Sequence, residues 1–383
     1  MKEKNGILVN ALGVSDSGGV AVLDKLLHEC TENNLQDYYI VCNKNHNICN
    51  LIKKYCIFDN IKFNIIPFKG LLFRLFYENF LLQGSVMPSK IDLIYNFTGS
   101  FQPWIKRPQV VKVQNLMFYS FVLDGLYKER GRGLLWVRHI LLKRFFFKFM
   151  LNKAKYIEVQ SSHVKDYLNN FLDIKGKKFF IKSDICIHKN EFHAPRKYDF
   201  SKKVRFLYIV GPHFEYPHKN LLDFSEAMLG LKKQGVDFEI DITLSLDQLN
   251  GSEVWNCELN KCTNFLGYID NKSVINSLFY DNTVLISTSV VETLGLHVIE
   301  GIKNGVIIIT PNEQYADVVY GKNRFSYSLF NSDSLINTIN NIIACKESFE
   351  ERVLSQHSYL KSSEKSKINS INSVFNEVIN TQK

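Results

Sequence analysis

The 383-residue sequence has no run of about 18 uncharged apolar residues, so no segment is expected to cross a membrane as a helix. The amino terminus, MKEKNGILVNAL, lacks a basic segment followed by a long apolar one, and we expect the chain to stay in the cytosol. Eight cysteines are scattered without a CxxC pair, and neither Cys257 nor Cys262 has histidine or further cysteine neighbours at zinc-ligand spacing. We therefore expect reduced structural thiols.

Motifs of other functional classes are also missing. The first glycine loop, GVSDSGG, lacks the G-x-G-x-x-G spacing of a nicotinamide-dependent dehydrogenase. No aspartate pair of the D-x-D type follows a predicted strand, and we expect neither a metal nor another cofactor. The formal net charge of +9 indicates an anionic partner, but no signature of a nucleic-acid-binding module accompanies it. Nucleic acid is therefore not the expected partner.

Many of the basic residues lie in one segment, 128–155, which reads KERGRGLLWVRHILLKRFFFKFMLNKAK. Cations alternate there with Trp136 and three consecutive phenylalanines, a pattern typical of helices that bind the headgroup region of an anionic membrane. The alternative is an ordinary surface helix, in which Phe145, Phe147 and Leu151 are core contacts opposite a solvated basic face. The sequence leaves both interpretations open.

The remaining composition is that of a globular protein. With 45% hydrophobic and 22% charged residues, the chain is expected to form about two domains. Apolar strand-like runs alternate with helical periods, which predicts parallel βα units. We therefore predict the α/β class, with two tandem Rossmann-like domains that face a cleft. The predicted parts are a first domain at 1–188, a linker at 189–203, a second domain at 204–348 and a helical segment at 349–383.

Two glutamates flank the point where a predicted strand gives way to a helix. The segment VETLGLHVIEGIKNG, 291–305, follows the apolar run VLIST, 284–288, after the dipeptide Ser-Val. Gly295 allows close backbone approach there, and the amides of a helix starting near Leu296 favour a phosphate group. The carboxylates of Glu292 and Glu300 suit the hydroxyl donors of a sugar or ribose. A site for phosphate beside a site for a polyol indicates that the ligand is a sugar nucleotide. The alternative is that both glutamates are ordinary solvent-facing residues.

The motif around Glu292 and Glu300 resembles that of a known family. The E-x7-E pattern with an internal TLGL, followed by a helix, NG and a β-branched strand ending in Thr-Pro, resembles the signature of glycosyltransferase family four. Other segments agree in order: DSGG at 16–19 resembles the family's glycine loop, LYIVGPHFEYPHKNL at 207–221 its lysine-bearing loop, and FLGY at 265–268 a later strand. The resemblance covers most of the chain. It implies the GT-B fold, with an acceptor-binding first domain, a nucleotide-sugar-binding second domain and a final segment that packs back on the first.

The resemblance also implies roles for individual residues. It implies that Glu300 holds the ribose hydroxyls of the donor and that Glu292 lies against the transferred sugar. Lys219 would neutralise the donor diphosphate as its bond to the sugar breaks, because a preplaced cation stabilises the growing charge. Glu292 and Lys219 are thus the implied catalytic residues. The implied donor-binding set is Glu300, Thr293, Gly295, Leu296, His218, Gly18 and Gly19.

The sequence departs from the family at the diphosphate. The family commonly pairs its lysine with an arginine a few residues earlier, but no arginine occurs between Arg205 and Lys219. Either His213 or His218 assists Lys219, or an arginine comes from elsewhere in the chain. The second cation of the diphosphate site is therefore left unassigned by the sequence.

The acceptor side is less defined. A first-domain histidine of the family is missing, and Gln114 and Asn115 stand at the matching strand end. Their amides are candidates for binding the acceptor sugar or, equally, for stabilising their own loop. Arg74 and Glu78, four positions apart, predict an ion pair within a helix, with the wall of the acceptor site as the alternative.

The function expected from these features is that of a retaining glycosyltransferase. It would transfer a nucleotide-activated hexose to a lipid-linked oligosaccharide in the synthesis of a bacterial surface polysaccharide, such as O-antigen lipopolysaccharide or capsule. We expect it in the cytoplasm, and on the inner face of the cytoplasmic membrane under the interpretation in which segment 128–155 contacts anionic lipid. The alternatives are a nucleotide-sugar epimerase of the same fold and a noncatalytic subunit that assists a partner transferase.

Overall fold

The computed structural model divides the chain into two compact units. The described residues are 4–14, 17–33, 35–67, 70–82, 91–129, 133–185, 191–211, 213–269, 272–345, 349–365, 367–368 and 370–381. The first unit lies within Met1–Ser120, Arg132–Cys186 and Lys365–Lys383, and the second lies within Phe121–Gly131 and Ile187–Glu364.

Seven strands form the sheet of the first unit: β1 Asn5–Ala11, β2 Gln36–Asn43, β3 Ile61–Ile66, β4 Ile91–Asn96, β5 Gln109–Val113, β6 Tyr156–Val159 and β7 Lys178–Ile181. Their order is β3-β2-β1-β4-β5-β6-β7, and their described pairings are parallel. The central strands are apolar and buried, as expected for a sheet that helices cover on both faces. The chain reverses its winding direction between β1 and β4.

Six strands form the sheet of the second unit: β8 Val204–Tyr208, β9 Phe238–Ile242, β10 Thr263–Phe265, β11 Thr283–Ile286, β12 Ile307–Pro311 and β13 Phe325–Tyr327. Their order is β10-β9-β8-β11-β12-β13, again with parallel pairings. The winding direction reverses between β8 and β11. The prediction of two Rossmann-like α/β domains is confirmed for each unit.

Helices alternate with the strands in both units. Two of them contain a π-helical turn: α3 continues into Tyr77–Leu81, and α5 continues through Val137–Leu141 into α6. No helix in the described ranges is long and apolar enough to cross a membrane. In chain order the helices are α1 Ser17–Thr31, α2 His46–Tyr55, α3 Leu71–Phe76, α4 Val122–Glu129, α5 Gly133–Trp136, α6 Leu142–Lys153, α7 Ser162–Asn169, α8 Leu221–Lys233, α9 Leu246–Leu249, α10 Lys272–Ser277, α11 Leu296–Lys303, α12 Gln314–Tyr320, α13 Ser332–Ala344, α14 Glu350–Lys365 and α15 Ile371–Asn380.

The unit boundaries differ from the predicted domain boundaries at α4 and near the carboxyl terminus. Helix α4 groups with the second unit, where it packs beside the short 3-10 turn Pro217–Lys219, although the sequence places it in the first domain. Of the segment predicted to pack on the first domain, 349–383, only the part from Lys365 onward groups with the first unit. Helix α14 instead packs within the second unit.

The predicted linker is bound to the second unit over its described part, 191–203. The amide of His193 donates to the Lys303 carbonyl, and the amide of Arg196 donates to the Gly305 carbonyl, both at 2.8 Å. Residues 189–190 of that prediction lie outside the described residues. The stretch lacks helical periodicity because it runs extended along neighbouring backbone, and it is not a free connection.

Helix α15 packs on the first sheet. Phe375 is fully buried, and its ring lies 5.1 Å from that of Tyr95 in an edge-to-face contact. The amide of Ile371 donates to Glu29 Oε2 at 2.7 Å, which satisfies a free donor in the first turn of the helix. The end of the chain is thereby part of the core of the first unit.

Candidate functional site

The site lies where the second sheet reverses its winding. Strands β8 and β11 are neighbours there, and open parallel sheets bind ligands at the carboxyl ends of such strands. The loop after β8 carries Lys219, and the loop after β11 carries Glu292. The fold therefore brings together two residues that are 73 positions apart in the chain.

The backbone that carries Lys219 is anchored to both strands. Thr288 Oγ1 donates to the Lys219 carbonyl at 2.9 Å, and the Tyr208 hydroxyl lies 2.6 Å from Thr288 Oγ1. The amide of Val290 donates to the carbonyl of His218 at 2.8 Å. These bonds fix the position of the lysine relative to the end of β11, so its side chain is aimed by the sheet.

Lys219 and Glu292 form an ion pair with Nζ 2.7 Å from Oε1. The side chains of Lys219 and Glu292 are 25% and 16% exposed, so the pair is partly open to solvent. Burial on its own raises the pKa of the Glu292 carboxyl, but the Lys219 ammonium outweighs it, and the pKa falls from 4.5 to about 2. Glu292 is therefore a carboxylate, and a hydrogen-bond acceptor, throughout the physiological pH range.

Two histidines stand close to this pair. Burial, together with the nearby Lys219 charge, lowers the pKa of His218 from 6.5 to about 3. Burial likewise lowers the pKa of His297 to about 4, and its Nε2 lies 3.2 Å from Ser287 Oγ. Both imidazoles are neutral at pH 7, so neither adds a positive charge beside Lys219. His213 lies exposed on the loop after β8.

Position 295, at the start of α11, requires glycine for two reasons, its backbone conformation and the lack of space for a side chain. Its φ of +57° lies in the left-handed region, which side chains with a Cβ disfavour. A Cβ at this position would lie 2.0 Å from the hydroxyl of Tyr320, which is 1% exposed. The glycine thus lets the loop close over Tyr320, with Thr293 and Leu296 half-buried on either side.

Glu300 lies within α11, on the same helix that Gly295 begins. Its carboxylate is half-buried, and Oε1 lies 3.9 Å from Lys303 Nζ. Lys303 Nζ is engaged more closely by Glu191 Oε2, at 2.8 Å. The proposed contact of Glu300 with ribose stays a prediction.

The first unit carries the remaining predicted site residues. Gly18 and Gly19 lie in the first turn of α1, directly after the loop that follows β1. Asp16, from the same predicted glycine loop, lies outside the described residues. Asn115 Oδ1 accepts a hydrogen bond from the amide of Met117 at 2.8 Å, so this side chain stabilises its own turn. Gln114 is half-buried beside it.

The structure separates the two faces of the basic segment 128–155. Arg144 is buried and donates to the carbonyl of Phe118 at 2.7 Å, and Phe147 stacks on the ring of Phe118 at 5.0 Å. Phe145, in contrast, is 77% exposed. Of the two interpretations left open by the sequence, the one with core contacts holds for Phe147 and Leu151, which pack inwards, but not for Phe145. Residues 130–132 of the segment lie outside the described residues.

Tyr320 and His297 are two residues of this region that the sequence motifs do not mark. Tyr320 belongs to α12 and reaches Gly295 through the fold, and His297 contacts the end of β11 only because α11 turns back. No local pattern marks either residue. Within the described ranges, no group of three or more histidine, cysteine, aspartate or glutamate side chains is placed to hold a metal ion.

Known proteins match this chain both in its fold and in the part of its sequence that carries the site. Two Rossmann-like units of this kind, shared with solved glycosyltransferases, define the GT-B fold. Residues 193–355 match the family model described as glycosyl transferases group 1. The matched range includes Lys219, Glu292 and Glu300. No curated protein sequence matches the chain.

Three solved structures illustrate the similarity. A glycosyltransferase from Rickettsia africae is 13% identical, covers 99% of this chain and 97% of its own, and has a TM-score of 0.62. The lipopolysaccharide outer core galactosyltransferase WaaB is 13% identical, with coverage of 99% and 100% and a TM-score of 0.60. A variant of S. aureus TarM, in complex with UDP, is 14% identical, with coverage of 99% and 100% and a TM-score of 0.57. At these identities the likeness shows the fold alone.

Proposed function

We propose that the chain is a retaining glycosyltransferase that transfers a hexose from a nucleotide sugar to a lipid-linked oligosaccharide during synthesis of a bacterial surface polysaccharide, such as O-antigen or capsule. The observation that carries the proposal is the Lys219–Glu292 pair at the carboxyl ends of β8 and β11, beside the start of α11. The match to the group 1 glycosyltransferase family model covers this same region.

Donor binding in this proposal uses groups of the second unit. The amides at the start of α11 and the Lys219 ammonium hold the diphosphate, because a helix amino terminus and a cation both favour an anion. Glu300 accepts hydrogen bonds from the ribose hydroxyls. Glu292, ionised because its pKa is about 2, accepts hydrogen bonds from hydroxyls of the hexose.

The reaction breaks the bond between the anomeric carbon and the diphosphate oxygen, and the electron pair moves to the diphosphate. Lys219 stabilises the negative charge that develops there, in a site where its backbone is already fixed. The leaving phosphate oxygen takes the proton of the acceptor hydroxyl, which attacks from the same face. No side chain is then required as a nucleophile.

The similar structures support the choice of substrates. The TarM complex contains UDP, which is consistent with a nucleotide-sugar donor. WaaB is a galactosyltransferase of the lipopolysaccharide outer core, which is consistent with a surface polysaccharide as the product. The UDP family of donors is therefore the first to be tested.

Contact with a membrane is supported by the exposed face of α5 and α6. Leu134, Leu142, Phe145 and Phe149 are 89%, 63%, 77% and 52% exposed, an unusual set of large apolar side chains for a surface helix. Exposed cations, Arg138 and Lys148 among them, accompany these side chains on the same segment. Such a combination favours the headgroup region of an anionic membrane, where a lipid-linked acceptor resides.

The proposal is tested by thermal unfolding in the presence of UDP, GDP, dTDP and ADP sugars. A ligand at 100 times its dissociation constant adds about 2.7 kcal/mol to the free energy of unfolding. We expect stabilisation by one nucleotide family, lost in Glu300→Ala and retained in Glu351→Ala, a matched change of an exposed glutamate on α14. Absence of stabilisation by all four, in folded protein, would contradict the donor site and favour a noncatalytic subunit.

A further inference from the structure

The first sheet has its own polar cluster at the corresponding position. Its winding reverses between β1 and β4, and Asn10 and Asn96 lie at the carboxyl ends of these strands. Asn10 Nδ2 lies 3.1 Å from Glu78 Oε1, 3.2 Å from Asn96 Oδ1 and 3.1 Å from Ser100 Oγ. All four side chains belong to residues with at most 1% exposure. The cluster therefore connects the strand ends to the π-helical turn that carries Glu78.

Arg74 contacts this cluster through only part of its guanidinium. Its Nε donates to Glu78 Oε1 at 2.9 Å, and its Nη2 donates to Thr98 Oγ1 at 2.7 Å. Nη1 makes no hydrogen bond to any residue that the structure describes. The side chain is 13% exposed, so it reaches the surface while two anchors hold its plane. The ion pair predicted from the sequence is confirmed, but it accounts for only part of the guanidinium.

The glycine after β1 leaves room for this guanidinium. A Cβ at Gly13 would lie 2.1 Å from Nη1 and 2.4 Å from Cζ of Arg74. The backbone of Gly13 is not in the left-handed region, so the requirement for glycine here comes from the close approach of Arg74. The loop after β1 and the arginine are thus built to lie against each other.

Stability alone does not account for the cluster. Glu78 is completely buried, and its Oε2 has no hydrogen-bond partner in the described part of the structure. A buried, unsatisfied carboxylate oxygen costs free energy, and apolar side chains in place of a buried ion pair are often as stable or more so. The π-helical turn at this position points the same way, because such turns occur frequently at functional sites.

We propose that Arg74 binds a phosphate group of the acceptor through the N–H groups of Nη1. A guanidinium held in a fixed plane matches phosphate oxygens, and Glu78 behind it supplies the orientation. The loop that Thr98 belongs to also borders the exposed helix α6: a Cβ at Gly99 would lie 3.4 Å from the ring of Phe147. A phosphate that joins a saccharide to a lipid would thus meet Arg74 beside the helix proposed to contact the membrane. The assignment to the acceptor rests on the proposed function, in which the second unit holds the donor diphosphate.

The test measures binding of inorganic phosphate, so it requires neither a donor nor a known acceptor. Calorimetric titrations use full-length Lys219→Ala protein, in which the cation of the other site is absent. In that background we compare Arg74→Gln/Glu78→Gln, Arg74→Lys and Gly13→Ala. The double variant removes the buried carboxylate together with its partner, so no uncompensated charge remains. Arg107→Gln, an exposed arginine just before β5, is the matched control.

We expect the double variant to weaken phosphate binding at least about tenfold, since a charge-assisted hydrogen bond is lost. Gly13→Ala should weaken binding severalfold by displacing the guanidinium, Arg74→Lys should weaken it less than the double variant does, and Arg107→Gln should leave it unchanged. Equal phosphate affinity in the double variant and its parent, both folded by circular dichroism, would overturn the site. A loss of nucleoside diphosphate affinity caused by Arg74→Gln/Glu78→Gln in the presence of Lys219 would overturn the assignment to the acceptor. Absence of nucleotide binding in every protein would contradict the proposed function and leave the phosphate result standing.

Discussion

The two sheets place a cation, a glutamate and a glycine at the same point of their topology. In the second unit these are Lys219, Glu292 and Gly295, and in the first they are Arg74, Glu78 and Gly13. The second-unit pair joins two loops that are far apart in the chain, whereas the first-unit pair lies within one helical segment. Reversal of the winding determines where a site forms, and the local sequence determines which groups fill it.

This difference also explains why sequence patterns identify the second-unit site but not the first-unit cluster. Residues 193–355 match the group 1 family model, and this range contains the second-unit site in full. The first-unit cluster uses residues of three separate elements and has no compact motif. A pair of residues four apart, such as Arg74 and Glu78, occurs in many helices and signals no ligand on its own.

Removing the second-unit cation should give the largest effect. Lys219→Ala should lower kcat by at least about 100-fold, because the charge that develops on the leaving diphosphate loses its preplaced partner. The rate of transfer from the stabilising donor, measured under saturating substrate, gives the comparison. Lys233→Ala on α8, an exposed lysine of the same unit, should retain the parental rate. A parental rate in Lys219→Ala would show that another group stabilises the diphosphate.

The two glycines should respond differently to a methyl group. Gly295→Ala should destabilise the protein by about 1–3 kcal/mol through its positive φ, with an added contribution from the Tyr320 hydroxyl. Gly13→Ala has no such backbone cost and should be milder. Denaturant unfolding measures both. Tyr320→Phe should recover part of the loss in Gly295→Ala, and an equal cost for the two glycine variants would break the distinction drawn between them.

Buried His218 of the second unit should make stability depend on pH. His218 has a folded pKa of about 3 and an ordinary value of 6.5, so below pH 6.5 the unfolded chain binds a proton that the folded protein excludes. This contribution to stability is complete above pH 6.5 and is lost as pH falls toward about 3. It amounts to about 2 kcal/mol between pH 7 and pH 5. Between pH 7 and pH 5, the free energy of unfolding should fall by about 2 kcal/mol less in His218→Asn than in the parent. Equal falls in the two proteins would contradict the assignment.

The smallest effect is expected at the surface of the first unit. Phe145→Ser/Phe149→Ser should weaken sedimentation with vesicles of anionic phospholipid severalfold, because two exposed rings leave the interface. Ile57→Ser, a change of an exposed apolar residue outside α5 and α6, is the control. Equal binding by all three proteins would remove the membrane contact from the account.

Much of the fold follows from the sequence, since buried parallel strands appear as apolar runs such as VLIST and VIIIT. Strands β7 and β13 have no such apolar run, because they are short and lie at sheet edges. One face of an edge strand contributes less to the core, so its apolar signal is weaker. The resemblance singles out Lys219 and Glu292 individually, whereas their ion pair depends on the strand order, which brings β8 beside β11.

The remaining features of the sites depend on contacts between distant elements. Tyr320 against Gly295 and Arg74 against Gly13 involve side chains that reach a glycine through the fold. A single sequence gives no distance between such residues. The arginine missing from the loop after β8 illustrates the same limit, because its absence is visible in the sequence while any substitute for it is not.

The most direct test of the account is calorimetric titration of the best-binding nucleoside diphosphate into parental protein, Lys219→Ala and Arg74→Gln/Glu78→Gln. If the second unit holds the donor diphosphate, Lys219→Ala lowers the affinity at least about tenfold, which corresponds to about 1.4 kcal/mol, while the first-unit variant stays within about twofold of the parent. Unchanged affinity in Lys219→Ala, or an equal loss in both variants, would contradict this assignment.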